Sequence, residues 1–193
     1  MIARRSFFWL PVQLTAAHLA GAVPVAYESL GLEYRGGQLN WPGGSAAAAV
    51  GRSGVRTDKH EGDGATPAGT YPLFHILYRQ DRIAPPVSQL PVSPLVPGHG
   101  WVDDPSDPNY NRLVSLPYPA RTEPMWREDE LYDALVVIGY NTDPVVPGAG
   151  SAIFLHIATA NFAPTAGCIA VRKEVLLGLL PLLGPGSTIT ISA

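Results

Sequence analysis

The sequence predicts a mainly β protein, a sandwich or barrel, on three observations. Gly and Pro number 20 each in 193 residues, about a fifth of the chain against roughly 12% in average usage, which disfavours a helical bundle or coiled coil. Apolar residues make up 46% of the chain, with 4 Trp, 8 Tyr and 5 Phe, enough for one packed core of ordinary domain size. They fall in short runs bounded by Gly, Pro, Asn and Asp, the pattern of strands separated by turns.

Taken in order, residues 1–22 place Arg4 and Arg5 before an apolar stretch that ends in Ala20-Gly21-Ala22. That is the layout of an export signal, and Arg4-Arg5-Ser6-Phe7-Phe8 resembles a twin-arginine signature. Pro11, Gln13, Thr15 and His18 weaken the apolar centre, so an amphipathic segment or a misassigned start, which would leave the chain in the cytoplasm, also fits. The expected location is the periplasm or cell envelope. Residues 23–193 are expected to form a single domain.

Within that domain strands are expected over 25–34, 46–51, 69–77, 135–140, 152–157 and 188–192, the lengths and spacing of a sandwich or barrel. One short helix is expected over 172–180. Pro181 lacks an amide hydrogen and crowds the preceding turn, so the helix ends or kinks there, and Gly184-Pro185-Gly186 is a firm stop before the last strand. Between 83 and 124 the chain is rich in Pro, Asp and Asn and weakly periodic. It reads as a long irregular insertion over the sheet, holding Trp101, Asp103, Asp104, Tyr110 and Asn111, and loops of this length are often functional. A surface loop packed on its own aromatics fits equally well.

Composition also excludes. A net charge of −3 gives no broad basic surface for a phosphate backbone, so no nucleic-acid partner is expected. One cysteine makes neither an internal disulfide nor a CxxC zinc or redox site. His75, His99, Asp103 and Asp104 lack metal-ligand spacing, so neither a metal nor another cofactor is expected. No segment after residue 22 reaches the roughly 18–20 apolar residues of a membrane span. A monomer is the default.

The chemistry concentrates in 151–171. His156 ends an apolar run, and Cys168 follows twelve positions later on the turn Thr165-Ala166-Gly167-Cys168, expected to lead into the helix. A thiol needs a basic or cationic neighbour to react at neutral pH. Histidine supplies one, and it can afterwards protonate a leaving amine. Gly167 permits positive φ and a close approach to the backbone, so amides at Gly167 and Cys168 are candidates for an oxyanion site, and the following helix would add its dipole. The same residues read about equally well as a buried structural cysteine beside a satisfied histidine.

These residues resemble the active-site motif of the YkuD-type L,D-transpeptidases, in which a histidine precedes a Ser/Thr-His-Gly-Cys turn; the matching positions are His156, Thr165, Gly167 and Cys168. A second block, Asp58 to Leu73 with Thr66-Pro67-Ala68-Gly69-Thr70-Tyr71 at its centre, is similar to the family's Thr-Pro-x-Gly-x-Tyr/Phe segment. The resemblance spans about 38–191. Ala166 stands where the common motif has a second histidine, Ala170 where a polar residue is frequent, and Ile157 where many members have Ser. Those departures resemble a branch with Thr-Ala-Gly-Cys, as do Asp103-Asp104-Pro105, Tyr110-Asn111-Arg112 and Asn141-Thr142-Asp143-Pro144. With Ile157 after the histidine, a backbone carbonyl is left to orient the imidazole.

The resemblance implies cysteine acyl transfer in the bacterial cell wall, with peptidoglycan stem peptides as partners. Cys168 is then the nucleophile, His156 the base and Gly167 part of the oxyanion site. Thr165, Ala166, Tyr110, Asn111, Asn141 and Trp101 are the expected stem-peptide contacts, although Asn141 also reads as a turn cap. A hydrolase of the same stem, or an inert peptidoglycan-binding domain, are the competing readings.

Overall fold

The computed structural model describes residues 29–193; the export-signal segment 1–22 and the start of the first expected strand lie outside the described residues. The chain begins with a three-strand meander. Strands β1 (Gly31–Arg35) and β2 (Gln38–Trp41) are joined by Gly36-Gly37, both at positive φ (56° and 84°), the geometry a two-residue hairpin turn requires. Pro42-Gly43, with Gly43 at φ 94°, then turns the chain into β3 (Gly44–Ala49), Pro setting the first turn residue and Gly taking the left-handed second. Sequence reading missed β2, although its Gly-Gly turn was a usable signal.

A parallel pair follows, β4 (Val55–Arg56) with β5 (Thr66–Pro67), and then the long β6 (Gly69–Arg79). Later come β11 (Ala134–Ile138), β12 (Phe154–Ile157), β13 (Ile169–Val171) and β14 (Thr188–Ile191). Pairing runs β11-β12-β13-β3-β2-β1-β14-β6, and β6 pairs back onto β11. Eight strands thus close into a barrel, which removes exposed strand edges. Only β1–β14 and β12–β13 are parallel among these pairs. The interior is aliphatic: Leu32, Leu39, Ile76, Val136, Leu155, Ile169 and Ile189 are all buried in it. Each such side chain contributes about 1.5–3 kcal/mol relative to exposure.

The apolar runs at 134–138 and 152–155 are continuous, without alternation, because both faces of these strands are covered. Ala134, Val136, Ile138, Leu155 and Ile157 point into the barrel, whereas Leu135, Val137 and Phe154 point outward into a second cluster with Trp101 and Met125. The cover comes from residues expected to be irregular. Segment 83–124 holds β7 (Val92–Leu95), paired parallel to β6, and a three-stranded antiparallel sheet of β8 (His99–Val102), β9 (Leu113–Ser115) and β10 (Thr122–Pro124). These strands are only three or four residues long, too short to impose a readable period on the sequence.

The short helix expected over 172–180 is present, but a strand, not the helix, directly follows the Thr165–Cys168 turn. Cys168 is followed by β13, whose three residues are wholly buried and bond to β12 on one side and β3 on the other. Helix α1 (Lys173–Leu179) begins only after it, with Leu176 and Leu179 buried against the barrel interior, and passes into a 3-10 turn over Leu180–Leu182 that contains Pro181. The β-branched Ile169 and Val171 suit this strand, and the helix dipole therefore does not begin at Cys168. Among the described residues no helix is long and apolar enough to cross a membrane.

Candidate active site

Because β12 and β13 run parallel with Leu155 opposite Ile169, continuing the register by one residue sets Phe154 opposite Cys168. The Phe154 amide donates to Cys168 Sγ at 3.4 Å. Side chains alternate along a strand, so Phe154, His156 and Cys168 all emerge on the outward face of the barrel. Two strands and a register bring together two residues twelve apart in sequence. Cys168 (7% exposed) and His156 (4% exposed) lie at the floor of a cleft of about 510 Å³ between this face and the insertion.

The thiol is held from two sides, accepting from the Phe154 amide and donating to Ala152 O at 3.2 Å. His156 Nδ1 lies 2.8 Å from Ile157 O. A carbonyl only accepts, so Nδ1 carries the proton and Nε2 keeps its lone pair. The backbone carbonyl that orients the ring thus belongs to the very residue standing in place of the motif's serine. Tyr132 packs edge-on against both His156 and Phe154, with ring centroids 5.4 and 5.9 Å away.

Burial sets the protonation states. It lowers the His156 pKa to about 4, against a partial opposing effect of the Ile157 carbonyl. Burial, aided by the nearby Glu123 charge and opposed by the Phe154 amide, raises the Cys168 thiol to about 12. A resting thiolate–imidazolium pair would put two charges into a dry floor. The resting site is a neutral thiol beside a neutral imidazole. Glu123 reaches in from β10, is itself shifted upward by burial, and accepts the Tyr132 hydroxyl.

The turn before the cysteine is stitched by two threonines. Thr165 Oγ1 donates to Cys168 O at 2.7 Å and accepts the Gly167 amide at 3.1 Å. Thr66 Oγ1 donates to Gly167 O at 2.8 Å and accepts the Gly51 amide at 2.9 Å. Gly167 sits at φ 150°, and a Cβ there would lie 2.8 Å from Ala65 O, so its lack of a side chain serves the approach of the Ala65 carbonyl. The Gly167 amide is occupied, which leaves the Cys168 amide of the two considered for the oxyanion. Thr165 and Ala166 line the cleft.

The other expected contacts are placed elsewhere. Trp101, Tyr110 and Asn111 are buried, and none of them or Asn141 lines the cleft. Asn111, at φ 59°, uses all four of its hydrogen-bonding positions: Oδ1 accepts from Trp101 Nε1 (2.9 Å) and the Ala152 amide (3.0 Å), and Nδ2 donates to Tyr140 O (3.1 Å) and Asn141 O (2.7 Å). Asn141 closes its own loop through Val146 and Gly150. Tyr110 donates to Glu61 and accepts the Gly150 amide. Together they hold the segment 141–152 that presents Ala152 O to the thiol. Their polar groups are spent on the fold, and Trp101 and Asn111 line a separate cleft with Phe74 and Leu113. His75 and His99, from different strands, bond to Ser93 and Val96.

Sequence reading passed over Thr66, Glu123, Tyr132 and the cleft-lining Arg52, Lys59 and Arg127. Thr66 and Lys59 stood inside the Asp58–Leu73 block and were findable there; nothing local marks the others. Lys59 is buried against Asp63 at 2.8 Å. Burial favours protonation of Asp63, but bonds from Lys59 and the Ala65 and His60 amides outweigh it and hold its pKa at about 2.

No curated protein and no solved structure matched the chain. Comparison with known protein families matches residues 27–191 to the YkuD L,D-transpeptidase catalytic domain. That match takes in the barrel, the insertion and both sequence blocks, and the chain therefore belongs to the YkuD family of L,D-transpeptidase catalytic domains.

Proposed function

We propose that the protein is a peptidoglycan L,D-transpeptidase of the bacterial cell envelope, using Cys168 as nucleophile. One observation carries this reading: the chain's single cysteine and a histidine whose Nε2 lone pair is free of its Nδ1–H···O=C bond share one cleft floor on adjacent strands.

In the first step Cys168 Sγ attacks the carbonyl carbon at the L-centre of diaminopimelate in a tetrapeptide stem as its proton passes to His156 Nε2. The carbonyl oxygen takes up negative charge, against which the Cys168 amide is the available donor. Collapse breaks the C–N bond, and terminal D-alanine leaves with the proton returned from His156. An acceptor amine then attacks the thioester, gives its proton to His156, and releases the new amide with the thiol restored. Neutral resting partners suit this order, since proton transfer accompanies attack and no buried ion pair is needed beforehand.

Mass spectrometry after incubation with a tetrapeptide stem tests it. The expected result is an acyl adduct on Cys168 with loss of one alanine, absent in His156→Ala. An unmodified cysteine under conditions in which the stem is turned over would sink the assignment. Release of tripeptide without crosslinked product, even when an amine is supplied, would make the protein a hydrolase of the same stem.

A further inference from the structure

The cleft above Cys168 is lined by four cations, Arg52, Lys59, Arg121 and Arg127. Three are already spent. Lys59 pairs with Asp63 at 2.8 Å, Arg121 with Asp103 at 3.0 Å and Arg127 with Asp129 at 2.6 Å. Among the described residues Arg52 has no carboxylate partner, and its guanidinium makes no hydrogen bond. Of the four cations Arg52 alone is free to pair; the two lining carboxylates without a cation, Glu61 and Glu123, are held instead by the hydroxyls of Tyr110, Ser151 and Tyr132.

The fold holds Arg52 beside the nucleophile's turn. Its amide donates to Thr165 O at 2.9 Å, and Gly51 before it bridges to Thr165. Its side chain lies flat across Gly64, where a Cβ would come within 2.8 Å of Arg52 Cζ. The guanidinium thus has a seat made by an absent side chain. Arginine presents a planar fork of donors that matches a carboxylate with two parallel bonds.

We propose that Arg52 is the specificity residue that receives the terminal carboxylate of the acyl donor, restricting the protein to the last peptide bond of a free-acid stem. This rests on the transpeptidase reading above, in which the leaving residue carries its carboxylate only three bonds from the carbonyl carbon attacked by Cys168. The contact is an ion pair and changes no covalent bond. It also selects against stems that continue past the leaving residue, because a neutral amide at that place leaves Arg52 unpaired.

The test compares rates of thioester formation for a tetrapeptide stem ending in free D-alanine and the same peptide ending in D-alanine amide. For the unaltered protein the acid should react about 30-fold faster, the order expected for one charge-assisted contact. In Arg52→Gln that ratio should collapse towards one, and Arg52→Lys, which keeps the charge without the fork, should fall between them. Thermal midpoints read in parallel establish that each variant is folded. An unchanged ratio in folded Arg52→Gln, or no preference in the unaltered protein, overturns the assignment of Arg52 while leaving the cysteine chemistry standing. Failure of both peptides to acylate the unaltered protein overturns the transpeptidase reading and this inference with it.

Discussion

The two sides of β11 and β12 carry different kinds of core. Inside the barrel Val136, Ile138, Leu155 and Ile157 belong to a mostly aliphatic cluster that includes the buried face of α1, with Tyr34 as its one buried aromatic residue. On the outside Leu135, Val137 and Phe154 meet Trp101, Met125, Tyr132 and Cys168, and the layer is threaded by the Asn111 and Glu123–Tyr132 hydrogen bonds. An aliphatic interior tolerates exchange of shape for shape. A mixed layer does not, because each buried polar atom needs its particular partner. The candidate site, with Cys168 and His156, opens on the second side.

The largest effect tests the outer side alone. Cys168→Ala should abolish stem turnover while shifting folding stability by about 1 kcal/mol or less, since a small buried group is exchanged for one slightly smaller; residual turnover above about one part in a thousand would place the nucleophile elsewhere.

His156 comes next. His156→Ala should slow acylation by roughly 100- to 10,000-fold, the usual worth of a general base. With the folded pKa of His156 at about 4, the acid limb of the acylation rate in the intact protein should fall near pH 4, with no thiolate detectable by ultraviolet absorbance below about pH 10. A limb near the ordinary histidine value of about 6.5 would mean a solvated, charged pair and would break the contrast between dry floor and open cleft. The linkage has a definite sign. Between roughly 6.5 and 4 the unfolded chain binds a proton that the folded protein refuses, so this contribution to stability is intact above pH 6.5 and lost as pH falls towards 4.

A matched pair of lesions compares the two layers directly. Leu39→Ala, inside the barrel on β2, should cost about 2–5 kcal/mol of stability and leave the alkylation rate of Cys168 in the folded fraction within about twofold. Asn111→Ala should cost about 3 kcal/mol, by leaving the Ala152 amide and the Trp101 indole N–H without their acceptor, and should change that alkylation rate severalfold because Ala152 O holds the thiol. Equal alkylation in both variants would erase the functional distinction between the layers.

The smallest expected effect lies at the cleft rim. Asp63→Asn should cost about 1 kcal/mol at neutral pH. Since the Asp63 pKa is held down at about 2, the gap between variant and unaltered protein should persist above pH 4 and close as pH falls towards 2, which denaturant titrations at several pH values would read.

How much of this was legible varies with the range of the forces involved. The expected strands at 46–51, 69–77, 135–140, 152–157 and 188–192 each fall on β3, β6, β11, β12 and β14, because Gly, Pro and Asn turns act within a few residues. Strand β13 and the insertion sheet were not legible, because three- and four-residue strands owe their existence to partners far along the chain. The Cys168 and His156 pairing could be suspected from a motif, whereas the scaffold role of Asn111 and the isolation of Arg52 could not, since each depends on which distant carbonyl or carboxylate is within 3 Å.

By itself, then, the sequence determined a β-rich barrel or sandwich, the single cysteine as the only thiol available, and the turn that presents it, since these follow from composition and from turn chemistry local to a few residues. Only the tertiary structure decided that Ile157 O orients the imidazole, that the Cys168 thiol and His156 imidazole rest uncharged, and that one arginine lining their cleft has no carboxylate partner among the described residues. Those are consequences of register and of desolvation. Both arise when strands from opposite ends of the chain exclude water from the same floor, and no short segment contains that information.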